Sequence, residues 1–278
     1  MAKFINHNGK IIPASVAFIK HKNRSFRYGD GFFETIKVYE NKILFFLDHF
    51  LRISKGLRLL KLNYSRNFNK EYVELQIQKT LQENNFRNCL LRISFFRCEG
   101  GKYTPVTNDM AFLIEIAEEI ETSYPLNEAG LKLGLYKDIL KPVSILSELK
   151  SCNALLFVLA GIFCKETGID DCIILNQHGN AAEVVSSNIF IIKKGKIFTP
   201  PISEGCVSGI MRKNVIKICK ENSLEIEEKP LNLHEFQEAN EVFITNIAAG
   251  IRWMKSFQNT IYENSITKEL SRELNKSL

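Results

Sequence analysis

The apolar positions begin in short alternating segments. Phe4, Ile5, Ile11 and Ile12 flank Asn8-Gly9, and TIKVYENKILFF repeats the form around Glu40-Asn41; apolar runs on either side of such turn residues predict hairpins. In DHFLRISKGLRLLKL the spacing changes: Phe50, Ile53, Leu57 and Leu60 recur at helical intervals, with Asp48 read as the N-cap. A second helix is predicted over about residues 70–84, and the strands CLLRISFF and MAFLIEIA follow it. Strands with two helices inserted between them predict a small N-terminal α/β domain over residues 1–119.

The acidic, polar stretch EEIETSYPLNEAG holds Pro125 and Gly130 and reads as a linker at 120–130. A larger domain, 131–278, then opens with the strand LKLGLY and a helix following Lys150. Next come DCIILN and AEVVSSNIFIIKKGKIFTPP, strands separated by the turns His178-Gly179-Asn180 and Lys194-Gly195. A helix over 208–222, the segment LEIEEKP, a short helix at LHEFQEA, the strand EVFITN and a C-terminal amphipathic helix complete the pattern.

Composition narrows the class. At 278 residues, with 45% hydrophobic and 24% charged, the chain has the make-up of a soluble globular enzyme. The net charge of +6 is spread along the chain without a basic block, which favours small anionic ligands over nucleic acid. Seven cysteines, odd in number and several of them in apolar runs (Cys152, Cys164, Cys172, Cys219), read as reduced core thiols. The longest apolar run, Ala154 to Cys164, is about half of the ~20 residues a membrane span needs, and MAKFINHNGK has no signal-peptide core. A cytoplasmic protein that binds neither membrane nor nucleic acid is expected.

Several familiar chemistries fail on spacing. Gly29-Asp30-Gly31 lacks the third glycine of a dinucleotide fingerprint, and Gly100-Gly101-Lys102 runs into Tyr103 rather than the Ser or Thr of a P-loop. HEFQE at His234 has no second histidine, GCVSG places Ser208 one position late for a nucleophile elbow, and the five scattered histidines suggest no metal site. What stands out is Lys150, four residues before the Ala154–Cys164 run. It is either a solvated lysine with its stem on the core or an amine partly desolvated for imine chemistry.

Five segments, in order, carry a family resemblance: FRYGDGFFETIKVYENKILFFLDHFLRI, LKSCNALLFVLA, AAEVVSSNIFII, VSGIMRKNVIKI and EVFITNIAAGI. Together they resemble the class IV aminotransferases, fold-type IV pyridoxal-phosphate enzymes that include branched-chain and D-amino-acid aminotransferases and 4-amino-4-deoxychorismate lyase. The resemblance runs from about Phe4 to Trp253. It implies an α/β (α+β) two-domain fold, a larger domain with a barrel-like sheet and helices, and a homodimer. It also implies pyridoxal 5′-phosphate as cofactor, which needs an amine, a partner for its pyridine nitrogen and an anion cradle.

By resemblance, Lys150 is the Schiff-base lysine and Glu183 the carboxylate facing the pyridine nitrogen. Arg52 is the phosphate fork, with the amides of Ile210 and Met211 at a helix N-terminus and Thr245 and Asn246 closing the cradle. Arg97 and Lys102 in FFRCEGGKY, with Phe33, are candidates for substrate binding. The chain departs from the transaminases at three positions: Met211 stands where many have threonine, Ala154 where tyrosine is frequent, and Phe33 where D-amino-acid enzymes have tyrosine. Gly209-Ile210-Met211-Arg212 and the segment Thr245 to Gly250 are nearer the lyase. The sequence therefore leans slightly to aminodeoxychorismate lyase, ahead of an amino-acid aminotransferase using 2-oxoglutarate. A cofactor-free binding protein and a serine hydrolase through Ser208 stand further back.

Overall fold

The computed structural model describes residues 2–16, 19–118 and 123–278. It divides into two compact units, Met1–Thr122 with Leu149–Asn153, and Ser123–Glu148 with Ala154–Leu278.

In the first unit the order is β1 (Phe4–His7), β2 (Lys10–Pro13), α1 (Arg24–Tyr28), β3 (Gly31–Tyr39), β4 (Lys42–Ile43), α2 (Phe46–Leu59), α3 (Lys70–Asn84), β5 (Cys89–Arg97) and β6 (Met110–Glu118). The strands form one antiparallel sheet, β2-β1-β6-β5-β3-β4. Both expected hairpins are present. Asn8 and Gly9 have φ of 52° and 85°, and Glu40 and Asn41 have 45° and 64°, the paired positive values whose twist matches that of the flanking strands.

α3 runs as expected, its N-cap Asn69 accepting from the Tyr72 amide. α2 starts earlier than expected, behind a left-handed Phe45. Asp48 is therefore not the cap but a first-turn residue, where its charge meets the positive helix end. α1, which has no counterpart in the sequence reading, is a single capped turn between Asn23 and a left-handed Gly29. α2 and α3 cover one sheet face, closing a core of Phe32, Ile36, Ile53, Leu57, Ile77, Leu91, Ile93 and Phe95. Alternation then sends Phe33 and Thr35 of β3, with Arg92 and Ser94 of β5, to the opposite face.

The second unit contains β7 (Leu131–Lys141), α4 (Leu155–Thr167), β8 (Asp171–Asn176), β9 (Ala181–Val184), β10 (Asn188–Lys193), β11 (Lys196–Thr199), α5 (Ile210–Glu221), β12 (Ile226–Glu228), α6 (Leu233–Gln237), β13 (Glu241–Asn246), β14 (Gly250–Phe257), β15 (Thr260–Ile261) and α7 (Ser265–Lys276). Its sheet runs β12-β11-β10-β13-β14-β7-β8-β9, with β15 added on β14. The pairs β14-β7, β7-β8 and β11-β12 are parallel and the others antiparallel. Ile173, Val184, Ile189, Ile191, Val242, Ile244, Met254 and Phe257 form its main core.

The expected linker is no free connector where it is described. Residues 119–122 lie outside the described residues, but Tyr124 is buried in the second unit, its hydroxyl donating to the Ile247 carbonyl at 2.9 Å. Asn127 exchanges hydrogen bonds with the backbone of Trp253. Among the described residues no helix is long and apolar enough to cross a membrane, and all seven cysteines are free.

Candidate functional site

Lys150 returns to the first unit as part of a short bridging segment on β3. Its carbonyl accepts from the Phe33 amide at 2.9 Å, Ser151 bridges Phe32, and the Cys152 amide donates to the Gly31 carbonyl at 2.9 Å. The side chain is half-buried, with Nζ 5.0 Å from the centroid of the Phe33 ring. Arg92, which the sequence reading passed over, places its guanidinium carbon 3.4 Å from the same centroid, and its Nε donates to Ser94 Oγ at 3.2 Å. A cation in the alternating strand CLLRISFF, on the face opposite the core, was the available signal. The site candidate Phe33 thus lies between an amine and a guanidinium that reach its ring from the two neighbours of β3, the Lys150 segment and β5, each attracted by the cation–π interaction.

Arg52 is aimed elsewhere than expected. Its Nε and Nη2 each donate at 2.7 Å to the two oxygens of Glu34, and His49 Nδ1 lies 2.8 Å from Glu34 Oε2. The fork read as a phosphate clamp therefore grips a carboxylate, because β3 places Glu34 on the helix-covered face beneath α2. Burial pushes the Glu34 carboxyl up, but the Arg52 charge, hydrogen bonds from His49 and Arg52, and the His49 charge outweigh it and hold the group at about 2.

Of the two basic substrate candidates, Arg97 is committed within the fold. Arg97 is 8% exposed, and its guanidinium is spent on Asp30, Asn108 and the carbonyls of Leu60 and Lys61. It staples the ends of β3, α2 and β5. The Lys102 side chain is exposed, and what the fold uses is its carbonyl, which accepts from Arg24 at 2.6 Å.

In the second unit Glu183 is 3% exposed. Its Oε2 accepts from the Val207 amide at 2.9 Å, and its Oε1 is paired with Lys141, a residue the sequence reading did not single out. Val207 precedes α5, which begins at Ile210 with no side-chain cap on its first-turn amides, the arrangement with which a helix N-terminus can bind an anion. The chain reaches this start through Gly209, where a Cβ would lie 1.9 Å from Asn188 Oδ1. Asn188 in turn pairs with Thr245 across β10 and β13. The Thr245 hydroxyl is buried with no partner among the described residues. Buried hydroxyls rarely stay unmatched without a ligand or water to meet them. The Asn246 side chain, by contrast, is committed to Ser187 and to the amides of Ala248 and Ala249, so it shapes the turn after β13.

Elsewhere in this unit, donor atoms of Cys164, Asp171 and Cys172 lie within 4.8 Å of one another; burial pushes both thiols up, as expected of a packed core contact.

Residues 31–257 match the family described as amino-transferase class IV. A probable branched-chain-amino-acid aminotransferase of Aquifex aeolicus is 34% identical over 96% of this chain and 89% of its own length. The fold is similar to that of the branched-chain aminotransferase of Thermoproteus uzoniensis, with a TM-score of 0.90 at 21% identity over 99% of this chain and 94% of the other. It is also similar to a putative 4-amino-4-deoxychorismate lyase of Legionella pneumophila, with a TM-score of 0.84 at 24% identity over 95% and 97% of the two chains.

Proposed function

This chain belongs to the class IV aminotransferase family and is a pyridoxal-phosphate-dependent enzyme; on that premise we propose that it is an amino-acid aminotransferase of branched-chain type. It would pass the amine of an aliphatic α-amino acid to 2-oxoglutarate. The observation that carries this reading is that an amine, Lys150, and a guanidinium, Arg92, both approach the Phe33 ring, in a chain 34% identical to a probable branched-chain enzyme.

The residues fit the cofactor. The Thr245 hydroxyl, unmatched among the described residues, and the uncapped amides of Ile210 and Met211 supply phosphate donors, and Glu183 is a buried carboxylate suited to a pyridinium nitrogen. Arg52 is gripped by Glu34 and is given no part in that cradle. When bound, the cofactor draws electron density from the substrate carbon that loses its proton. Lys150 Nζ carries that proton away and returns it, acting as general base and then acid. Arg92 holds the substrate carboxylate by charge-assisted hydrogen bonds, fixing which bond faces the amine. Glu183 supplies the fixed negative charge opposite the ring nitrogen.

A homodimer is part of the reading. Leu155, Val158, Leu159 and Ile162 of α4 are exposed at successive turns of one helix face, and a contiguous apolar stripe of this kind marks an interaction surface.

A second reading, aminodeoxychorismate lyase, is favoured by Met211 and the segment Thr245 to Gly250, and would use the same Lys150 to expel pyruvate from an aromatising ring. Incubation of the holoenzyme with L-valine, L-leucine, L-isoleucine or D-alanine plus 2-oxoglutarate, and separately with aminodeoxychorismate, distinguishes them. Glutamate from the branched-chain L-amino acids supports the proposal. 4-Aminobenzoate and pyruvate without glutamate establish the lyase instead, and turnover of none of these overturns both.

A further inference from the structure

Lys141 ends β7 just past a register shift against β8, and its side chain turns inward rather than to water. At 5% exposure it is among the most enclosed charged groups of the second unit. Its ammonium pairs with Glu183 Oε1, lies 3.3 Å from the Ser147 carbonyl, and sits 5.3 Å from the centroid of the Phe157 ring on α4. Glu183 Oε2 is held by the Val207 amide at 2.9 Å. Each carboxylate oxygen thus has one fixed partner, and the carboxyl plane is set by two elements, the end of β7 and the loop into α5. In a buried ion pair, removing one partner leaves the other charge uncompensated.

From this geometry we infer that Lys141 is a positioning residue for Glu183: it holds the carboxylate oriented for the cofactor's ring nitrogen, and ties it through Ser147 to the chain that leads into Lys150. This rests on the reading that Glu183 faces that nitrogen. A lysine used only to fill the core would instead place its stem on apolar surface and its ammonium in water. The Lys141 ammonium is in contact with a carboxylate and a carbonyl, both inside the fold.

The test compares Lys141→Met, Lys141→Gln, Glu183→Gln and the double variant Lys141→Met/Glu183→Gln with wild type. Two readouts are taken: thermal unfolding of the apoenzyme, and the 15N chemical shift of the ring nitrogen of bound 15N-labelled pyridoxal phosphate, which reports whether that nitrogen is protonated. Lys141→Met should lower the apoenzyme Tm by roughly 5–10 °C, the cost of a buried charge left unpaired. The double variant, with neither charge, should recover part of that loss. Both single Lys141 variants should move the 15N shift in the same direction as Glu183→Gln, and kcat should fall about 10- to 100-fold. If Lys141→Met does not fold, Lys141→Gln and the double variant carry the same comparison. A wild-type 15N shift in the Lys141 variants, while Glu183→Gln moves it, leaves Lys141 as packing alone and overturns the inference. A wild-type shift in Glu183→Gln itself removes Glu183 from the ring nitrogen, and the inference falls with that reading.

Discussion

Replacing Glu34 with glutamine removes one charge from a buried cluster while keeping its shape. The carboxylate is fully enclosed, receives two hydrogen bonds from Arg52 and one from His49, and titrates at about 2 rather than its ordinary 4.5. At about 1.4 kcal/mol for each tenfold change, that depression corresponds to roughly 3 kcal/mol of stability. The sign follows from the depression. The contribution is fully present above the unfolded-state value near 4.5 and is lost as pH falls through the folded-state value of about 2. Glu34→Gln should therefore destabilise the first unit by about 3 kcal/mol at pH 7, and its deficit should shrink steadily between pH 4.5 and 2, where the wild type loses the same charge. The single tryptophan, Trp253, lies in the second unit, so its fluorescence does not report the right region. Native-state hydrogen exchange of peptides from β3 and α2, corrected for intrinsic rates, does. A deficit that stays constant across that pH range, or none at pH 7, refutes the reasoning.

Thr245→Val removes a buried hydroxyl that has no partner among the described residues; the apoenzyme should be as stable or slightly more so, while pyridoxal-phosphate Kd, by equilibrium titration, should rise roughly 5- to 10-fold for one lost hydrogen bond. Arg92→Leu should raise KM for the amino acid by about 10- to 100-fold with cofactor binding unchanged, the mark of a carboxylate contact rather than a cradle residue. Leu155→Glu with Ile162→Glu, on the exposed face of α4, should convert a dimer to monomer in sedimentation velocity.

The elements were legible where local chemistry decides them. The Asn8-Gly9 and Glu40-Asn41 turns, the span of α3 and the period of α2 are fixed by residues adjacent in the chain. The start of α2 was not, because Phe45 takes a left-handed conformation that no apolar residue advertises. The same limit governs the site. Lys150 and Glu183 could be singled out from their surrounding segments, but what each side chain touches is set by strands far apart in sequence. Arg52 meets Glu34 eighteen residues away, and Glu183 meets Lys141 forty-two away. Arg97 looked available because sequence shows a guanidinium without the carbonyls of Leu60 and Lys61 that occupy it.

The central claim is that Lys150 carries the cofactor. Borohydride reduction of the holoenzyme, followed by proteolysis and mass spectrometry, tests it most directly. The pyridoxyl mass should appear on the peptide containing Lys150 and be absent after Lys150→Ala; a label on Lys141 or any other lysine, with Lys150 unmodified, would contradict the account.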